Sequence, residues 1–200
     1  FLGAPEIGTF HAICVRILRN ELQATPFTKP FVIYDDSDQL SLVKRVFEKI
    51  GLDDKAFNPK SMQAAINRLK CDAVEPKDLE PAAHDIFERQ LKRVYEEYQK
   101  SLFANNALDF GEILCMTYRI LRDEPTIRSK YQNRWPYIHV DEYQDTNRAQ
   151  YLMLCQLAKR EFGGRENICV VGDEDQSIYK WRGADIRNIL DFESDYPGAK

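Results

Sequence analysis

Tyr137-Ile138-His139-Val140-Asp141-Glu142-Tyr143-Gln144-Asp145 is an apolar run that ends in carboxylates, and Ile168-Cys169-Val170-Val171-Gly172-Asp173-Glu174-Asp175-Gln176 repeats the arrangement. Tyr137 to Val140 and Ile168 to Val171 read as strands, with one helix-length segment, Asn147 to Phe162, between them. A strand–helix–strand unit implies parallel strands, and open α/β sheets bind ligands beyond the carboxyl ends of such strands. The second segment runs on into Ser177-Ile178-Tyr179-Lys180-Trp181-Arg182-Gly183, which interleaves aromatic and basic side chains.

Upstream, periodicity predicts helices. Thr9 is a suitable N-cap for a helix to about Glu21, with Phe10, Ile13, Cys14, Ile17 and Leu18 on one face. A short apolar run, Phe31 to Tyr34, precedes a series of helices. Ser37 is the expected cap of the first, with Leu40, Val43, Phe47 and Ile50 inward and Gly51 as its stop. Asn58-Pro59 opens the next, burying Met62, Ala65, Ile66 and Leu69. The longest is expected from about Pro81 to Ala104, with Phe87, Leu91, Val94, Tyr95, Tyr98 and Leu102 as its seam. Asp109 and Glu112 have capping-box spacing before another helix, and Pro125 opens a short one to Asn133. Strand character is expected only from Trp135 on. An α-rich block of about a hundred residues thus separates two parts of different texture, which favours a helical insertion in an α/β domain. Two or three strands make an incomplete sheet, and Tyr196 to Lys200 lead toward a further strand, so the chain reads as part of a larger domain.

Composition bounds the class. The 200 residues are 44% apolar and 30% charged, as in a water-soluble globular protein. No apolar run reaches the roughly 18 residues of a membrane span, and no secretory signal opens the chain. Cys14, Cys71, Cys115, Cys155 and Cys169 are widely spaced and read as buried, reduced, intracellular cysteines; the three histidines are equally scattered, which argues against zinc. A net charge of −4 argues against holding nucleic acid by bulk positive charge but leaves room for a local basic groove.

Asp141-Glu142 after a strand is the Walker B pattern: the first carboxylate can hold Mg²⁺ through water, the second can take a proton from a water attacking a γ-phosphate. Alone, the pattern is more often a solvated turn; the Tyr-Gln-Asp-Thr-Asn continuation makes it specific. Gln176 offers a neutral amide to a γ-phosphate or its attacking water, which suits a sensor of nucleotide state, although Gly-Asp-x-Asp is also a common turn. If Tyr179 to Arg182 is extended, Tyr179 and Trp181 share one face for base stacking while Lys180 and Arg182 meet phosphates. The plainer alternative places Trp181 in the core.

Four segments, Gly8-Thr9-Phe10-His11-Ala12, Ala107-Leu108-Asp109-Phe110, Val140 to Asn147 and Gly172 to Ala184, resemble the superfamily 1 DNA helicases of the UvrD/Rep/PcrA type, in that family's order and across essentially the whole chain. The resemblance implies an α/β fold: a partial RecA-like parallel-sheet P-loop NTPase domain, residues 1–34 and 135–200, carrying an inserted α-helical subdomain, residues 35–134. It implies ATP and Mg²⁺ as cofactors, Asp141 as the metal residue, Glu142 as catalytic base and Gln176 as the γ-phosphate contact. Thr9, His11, Tyr179, Trp181 and Arg182 would meet single-stranded DNA; Phe10 also fits the core face of its helix and carries less weight. The implied activity is ATP-dependent translocation, 3′ to 5′, with unwinding at single-strand/duplex junctions, in repair or replication and with the proteins of those processes. The implied location is cytoplasmic, at the nucleoid in a bacterium. Gly111-Glu112 departs slightly from the two polar or acidic residues the family often carries there. Gly3 to Thr9 has P-loop glycine spacing without the lysine, so the chain alone is expected to be monomeric and inactive on ATP. The alternatives are a non-catalytic DNA-binding or docking module, or a helicase–nuclease subunit.

Overall fold

The computed structural model describes residues 4–82, 84–176, 184, 185 and 187–199, without the Glu174 side chain. Thr9 caps α1 (Phe10–Asn20), its hydroxyl accepting from the Ala12 N–H at 3.3 Å, and Cys14, Ile17 and Leu18 bury the inner face. The cap of α2 (Asp36–Ile50) is Asp35 rather than Ser37. Its carboxylate accepts from the Ser37 and Asp38 N–H groups while Asp38 answers the Asp35 N–H. A carboxylate satisfies two free amides at the positive end of the helix, which a serine hydroxyl does less well. The buried face is consequently Gln39, Leu42, Val43, Val46 and Phe47, leaving Leu40 and Ile50 at its margin. Asn58 caps α3 (Pro59–Cys71) as expected. The longest helix, α4 (Ile86–Ala104), starts at the Asp85 cap, four residues beyond Pro81, and Phe87 is exposed rather than part of the seam.

Two parallel strand pairs organise the rest. β1 (Val32–Tyr34) lies beside β2 (Ala107–Asp109), with Val32 opposite Ala107 and Tyr34 opposite Asp109. β2 was not anticipated from the sequence: three residues running straight into a helix leave no alternation to detect. α5 (Phe110–Asp123) begins at the Asp109 cap, and α6 (Pro125–Arg134) follows. β3 (Ile138–Val140) pairs in parallel with β4 (Ile168–Val170), Val140 opposite Val170, as the strand–helix–strand reading requires. Their crossover is α7 (Arg148–Ala158), capped by a reciprocal Asn147–Gln150 box, then a tight turn at Arg160–Phe162. Two short helices close the chain, α8 (Arg187–Leu190) and α9 (Phe192–Asp195).

The result is a helix-rich α/β fold with two buried cores. One joins α1, α5 and α7 with Phe27, Phe31, Leu108 and Tyr131. The other joins α2, α3 and α4 with Ala107. A smaller cluster, Val140, Tyr143 and Leu154, sits under the end of β3. Each fully buried Leu, Ile or Phe contributes roughly 1.5–3 kcal/mol, so these clusters dominate stability. Cys14, Cys115 and Cys155 are buried and free, but Cys169 lies on an exposed face of β4, against the expectation that all five are covered. Among the described residues no helix is long and apolar enough to cross a membrane.

Candidate functional site

At the carboxyl end of β3 the chain turns sharply. Asp141 and Glu142 are exposed, and Glu142 adopts a left-handed backbone, φ 52° and ψ 44°. A residue with a Cβ held there is strained by about 1–3 kcal/mol, a strain that collects at functional positions. Asp141 Oδ1 accepts the Glu142 N–H at 3.0 Å. The turn is held from the neighbouring strand, where the Val171 N–H donates to Val140 and the Tyr143 N–H donates to Val171, at 2.8 and 2.9 Å.

Gln144, to which the sequence reading assigned no role, organises the site from beneath. It is 1% exposed. Its Nε2 donates to Glu142 Oε2 at 2.7 Å and its Oε1 accepts the Asp173 N–H at 3.0 Å. One buried amide therefore fixes a carboxylate at the end of β3 and the backbone just past the end of β4. The signal that could have revealed it is Gly172, since a glycine directly after a strand marks a close approach. A Cβ at position 172 would stand 2.5 Å from Gln144 Oε1 and 2.8 Å from Ile189 Cδ1. Beyond it, Asp173 caps a tight turn: Gln176 Nε2 donates to Asp173 Oδ2 at 2.6 Å, and the Asp175 N–H to Oδ1 at 3.0 Å. Glu142, Gln144, Asp173 and Gln176 thus form one hydrogen-bonded series.

Tyr179, Trp181 and Arg182, expected from the sequence to meet DNA, lie outside the described residues. Ala184 bridges to Asn147, and the Asp185 N–H donates to the Thr146 carbonyl at 3.0 Å. Asn188 adds two bonds, to the Thr146 carbonyl and hydroxyl.

The other candidates sit at the start of α1. Thr9 is exposed and occupied as the cap; His11 is half-buried, its ring edge-on to Phe110 with centroids 5.4 Å apart. Burial holds the His11 imidazole below its ordinary pKa, partly offset by a hydrogen bond with the Phe110 backbone. Phe110, which the sequence reading did not single out, is 47% exposed at the head of α5. With Ile33, Val15, Arg16 and Arg19 these rings line an open groove of about 470 Å³, an aromatic floor with guanidinium groups beside it. Phe10 packs against both the main core and the cluster beneath β3, which ties the start of α1 to the carboxylate turn.

Electrostatically the β3 end is negative. Asp145 is raised by burial and then by the Glu142 charge, and its Oδ1 is buried without a partner among the described residues. Magnesium commonly keeps several waters and takes one or two protein carboxylates together with phosphate oxygens. An exposed Asp141, whose one hydrogen bond among the described residues is accepted by Oδ1 from an adjacent amide, fits that requirement.

Paired carboxylates at the end of a parallel strand, braced from the end of a second strand, stand where open α/β sheets commonly bind ligands. The family profile for the UvrD/REP helicase N-terminal domain matches residues 2–197, and the chain belongs to that family. It is 46% identical over 199 residues to the ATP-dependent DNA helicase PcrA of Bacillus subtilis (strain 168), covering 98% of this chain and 26% of that protein. It is 45% identical over 194 residues to the PcrA of Staphylococcus epidermidis, covering 97% and 26%, and 45% over 193 residues to that of Staphylococcus aureus, covering 96% and 26%. The chain spans about a quarter of the length of these curated relatives.

Proposed function

We propose that this chain supplies the Walker B and coupling elements of an ATP-dependent DNA helicase that moves 3′ to 5′ on single-stranded DNA and opens duplexes in repair or replication. Residues 1–34 and 135–200 form parts of one RecA-like domain. Residues 35–134 form the inserted helical block, of which α2 to α4 have their own core while α5 and α6 pack on the RecA-like side. The observation that carries the reading is the Glu142–Gln144–Asp173–Gln176 series, which links a strand-end carboxylate to the residue just before the Ser177–Gly183 segment.

In this reading Asp141 would hold Mg²⁺, which when bound would supply charge neutralisation for the phosphates. Glu142, its side chain steadied by the Gln144 amide, takes the proton of the attacking water. Gln176 contacts the γ-phosphate, and its departure from Asp173 passes the nucleotide state to the Tyr179 and Trp181 segment. Thr9, His11 and Phe110, with Tyr179, Trp181 and Arg182, bind bases and phosphates of the tracking strand. By itself the 200-residue chain offers no Gly-Lys-Thr cradle for the phosphates and is inactive on ATP.

The test is Glu142→Gln in a protein carrying this sequence together with a complete nucleotide site. Nucleotide binding is expected to persist while turnover falls by a factor of roughly 10²–10⁴. Unimpaired hydrolysis would remove Glu142 from the chemistry.

A further inference from the structure

A cluster of charges that the proposed chemistry does not use lies between the helical block and the His11–Phe110 groove. Lys70, in the last turn of α3, is fully buried, as is Asp109; Glu112 is 1% exposed. Lys70 Nζ stands 2.7 Å from Asp109 Oδ2 and 3.4 Å from Glu112 Oε2. Glu112 also pairs with Arg119, so the cluster is neutral overall. Burial alone would depress the Lys70 ammonium, but the two carboxylates outweigh it and hold the pKa above the lysine range. The Tyr98 hydroxyl donates to the same Asp109 oxygen at 2.8 Å. The remaining Asp109 oxygen accepts the Glu112 N–H at 2.7 Å, which is the N-cap bond of α5.

Both oxygens of this aspartate are therefore engaged, one by Lys70 and Tyr98 and the other by the first turn of α5, and the next residue is Phe110. Two further contacts press α3 onto that turn. The Cys115 thiol donates to the Lys70 carbonyl at 3.0 Å. Gly111 lies so close that a Cβ would stand 2.8 Å from Lys70 Cβ, which accounts for a glycine where the resemblance leads one to expect a polar or acidic residue. An ion pair buried this completely contributes little net stability compared with apolar packing; what it supplies is one defined geometry.

We propose that Lys70 is a positioning residue: reaching from the helical block, it fixes Asp109 and thereby the placement of the Phe110 ring against His11. Its consequence for DNA rests on the reading of that groove as a nucleic-acid face. The test uses the 200-residue chain. The double variant Lys70→Met with Asp109→Asn keeps the cluster neutral and leaves a side chain that still caps α5. Asp109→Asn alone is the milder second variant, and Phe110→Ala tests the groove itself. Each is followed by thermal melting, by NMR of the His11 ring protons (three histidines give resolvable signals) and by anisotropy of a labelled oligothymidylate.

With cooperative melting retained, the double variant is expected to lose the Phe110 ring-current shift at His11. It should also bind the oligonucleotide roughly tenfold more weakly, as Phe110→Ala does. Asp109→Asn should move both in the same direction by less. Wild-type His11 shifts in folded variants would overturn the proposal, because a merely structural ion pair would change melting alone. If Phe110→Ala binds like wild type while the double variant still shifts His11, the positioning role stands and the reading of the groove fails.

Discussion

Each of the two parallel strand pairs delivers an aspartate at its carboxyl end, and the two aspartates have opposite fates. Asp109, at the end of β2, is fully buried and receives a lysine, a tyrosine hydroxyl and a backbone amide. Asp141, just past β3, is exposed and receives the amide of its neighbour. Strand topology puts a carboxylate at a ligand-facing edge; the donors around it decide whether it holds the fold or stays free for an incoming cation. Counting donors separates the two more sharply than the local sequence, since Leu-Asp-Phe and Val-Asp-Glu look alike as strand-end patterns.

The comparison can be broken by experiment. The largest effect is expected from Asp109→Ala, which removes the nearer of the two carboxylates facing the buried Lys70 and should cost about 3–5 kcal/mol in urea unfolding. Asp141→Ala should stay within about 0.5 kcal/mol of wild type. Similar losses at both positions would abolish the distinction. Next comes Gly172→Ala, whose new methyl meets Gln144 and Ile189 and should destabilise by roughly 1–3 kcal/mol. A neutral result there would mean that Gln144 can leave its position without penalty, and the series from Glu142 to Gln176 would lose its support. The smallest is Glu142→Gly. Relief of the left-handed backbone is partly offset by the greater freedom of glycine in the unfolded chain, so a gain of up to about 1 kcal/mol is expected in the melting curve. A loss would show that the Glu142 side chain holds the turn rather than being held by it.

Much of the fold was legible because periodicity and caps are local. α1, α3, α5 and the β3–α7–β4 unit follow from Thr9, Asn58, Asp109 and the two apolar runs. The misplaced starts of α2 and α4 have one cause: several residues could cap, and Asp35 and Asp85 prevail through side-chain bonds that compete with those of their neighbours. β2 escaped notice because its identity lies in a partner 75 positions away, Val32 opposite Ala107. At the site, the exposed carboxylates were visible in the motifs. Those acting from below, Gln144 and Lys70, were not, because an amide in a turn and a lysine in a helix look solvated until tertiary packing buries them. Phe110 stood in a quoted motif without a role of its own, because its exposure follows from tertiary packing.

One feature of β2 reaches beyond the site. Its three residues alternate between the two interiors: Ala107 belongs to the core of α2 to α4, Leu108 to that of α1, α5 and α7, and Asp109 to the charges between them. A wall shared in this way cannot be stripped from one side while staying intact on the other. Slow amide exchange in α4 and in α5 should therefore be governed by a single opening event, with the helical block and the α/β part behaving as one cooperative unit rather than two.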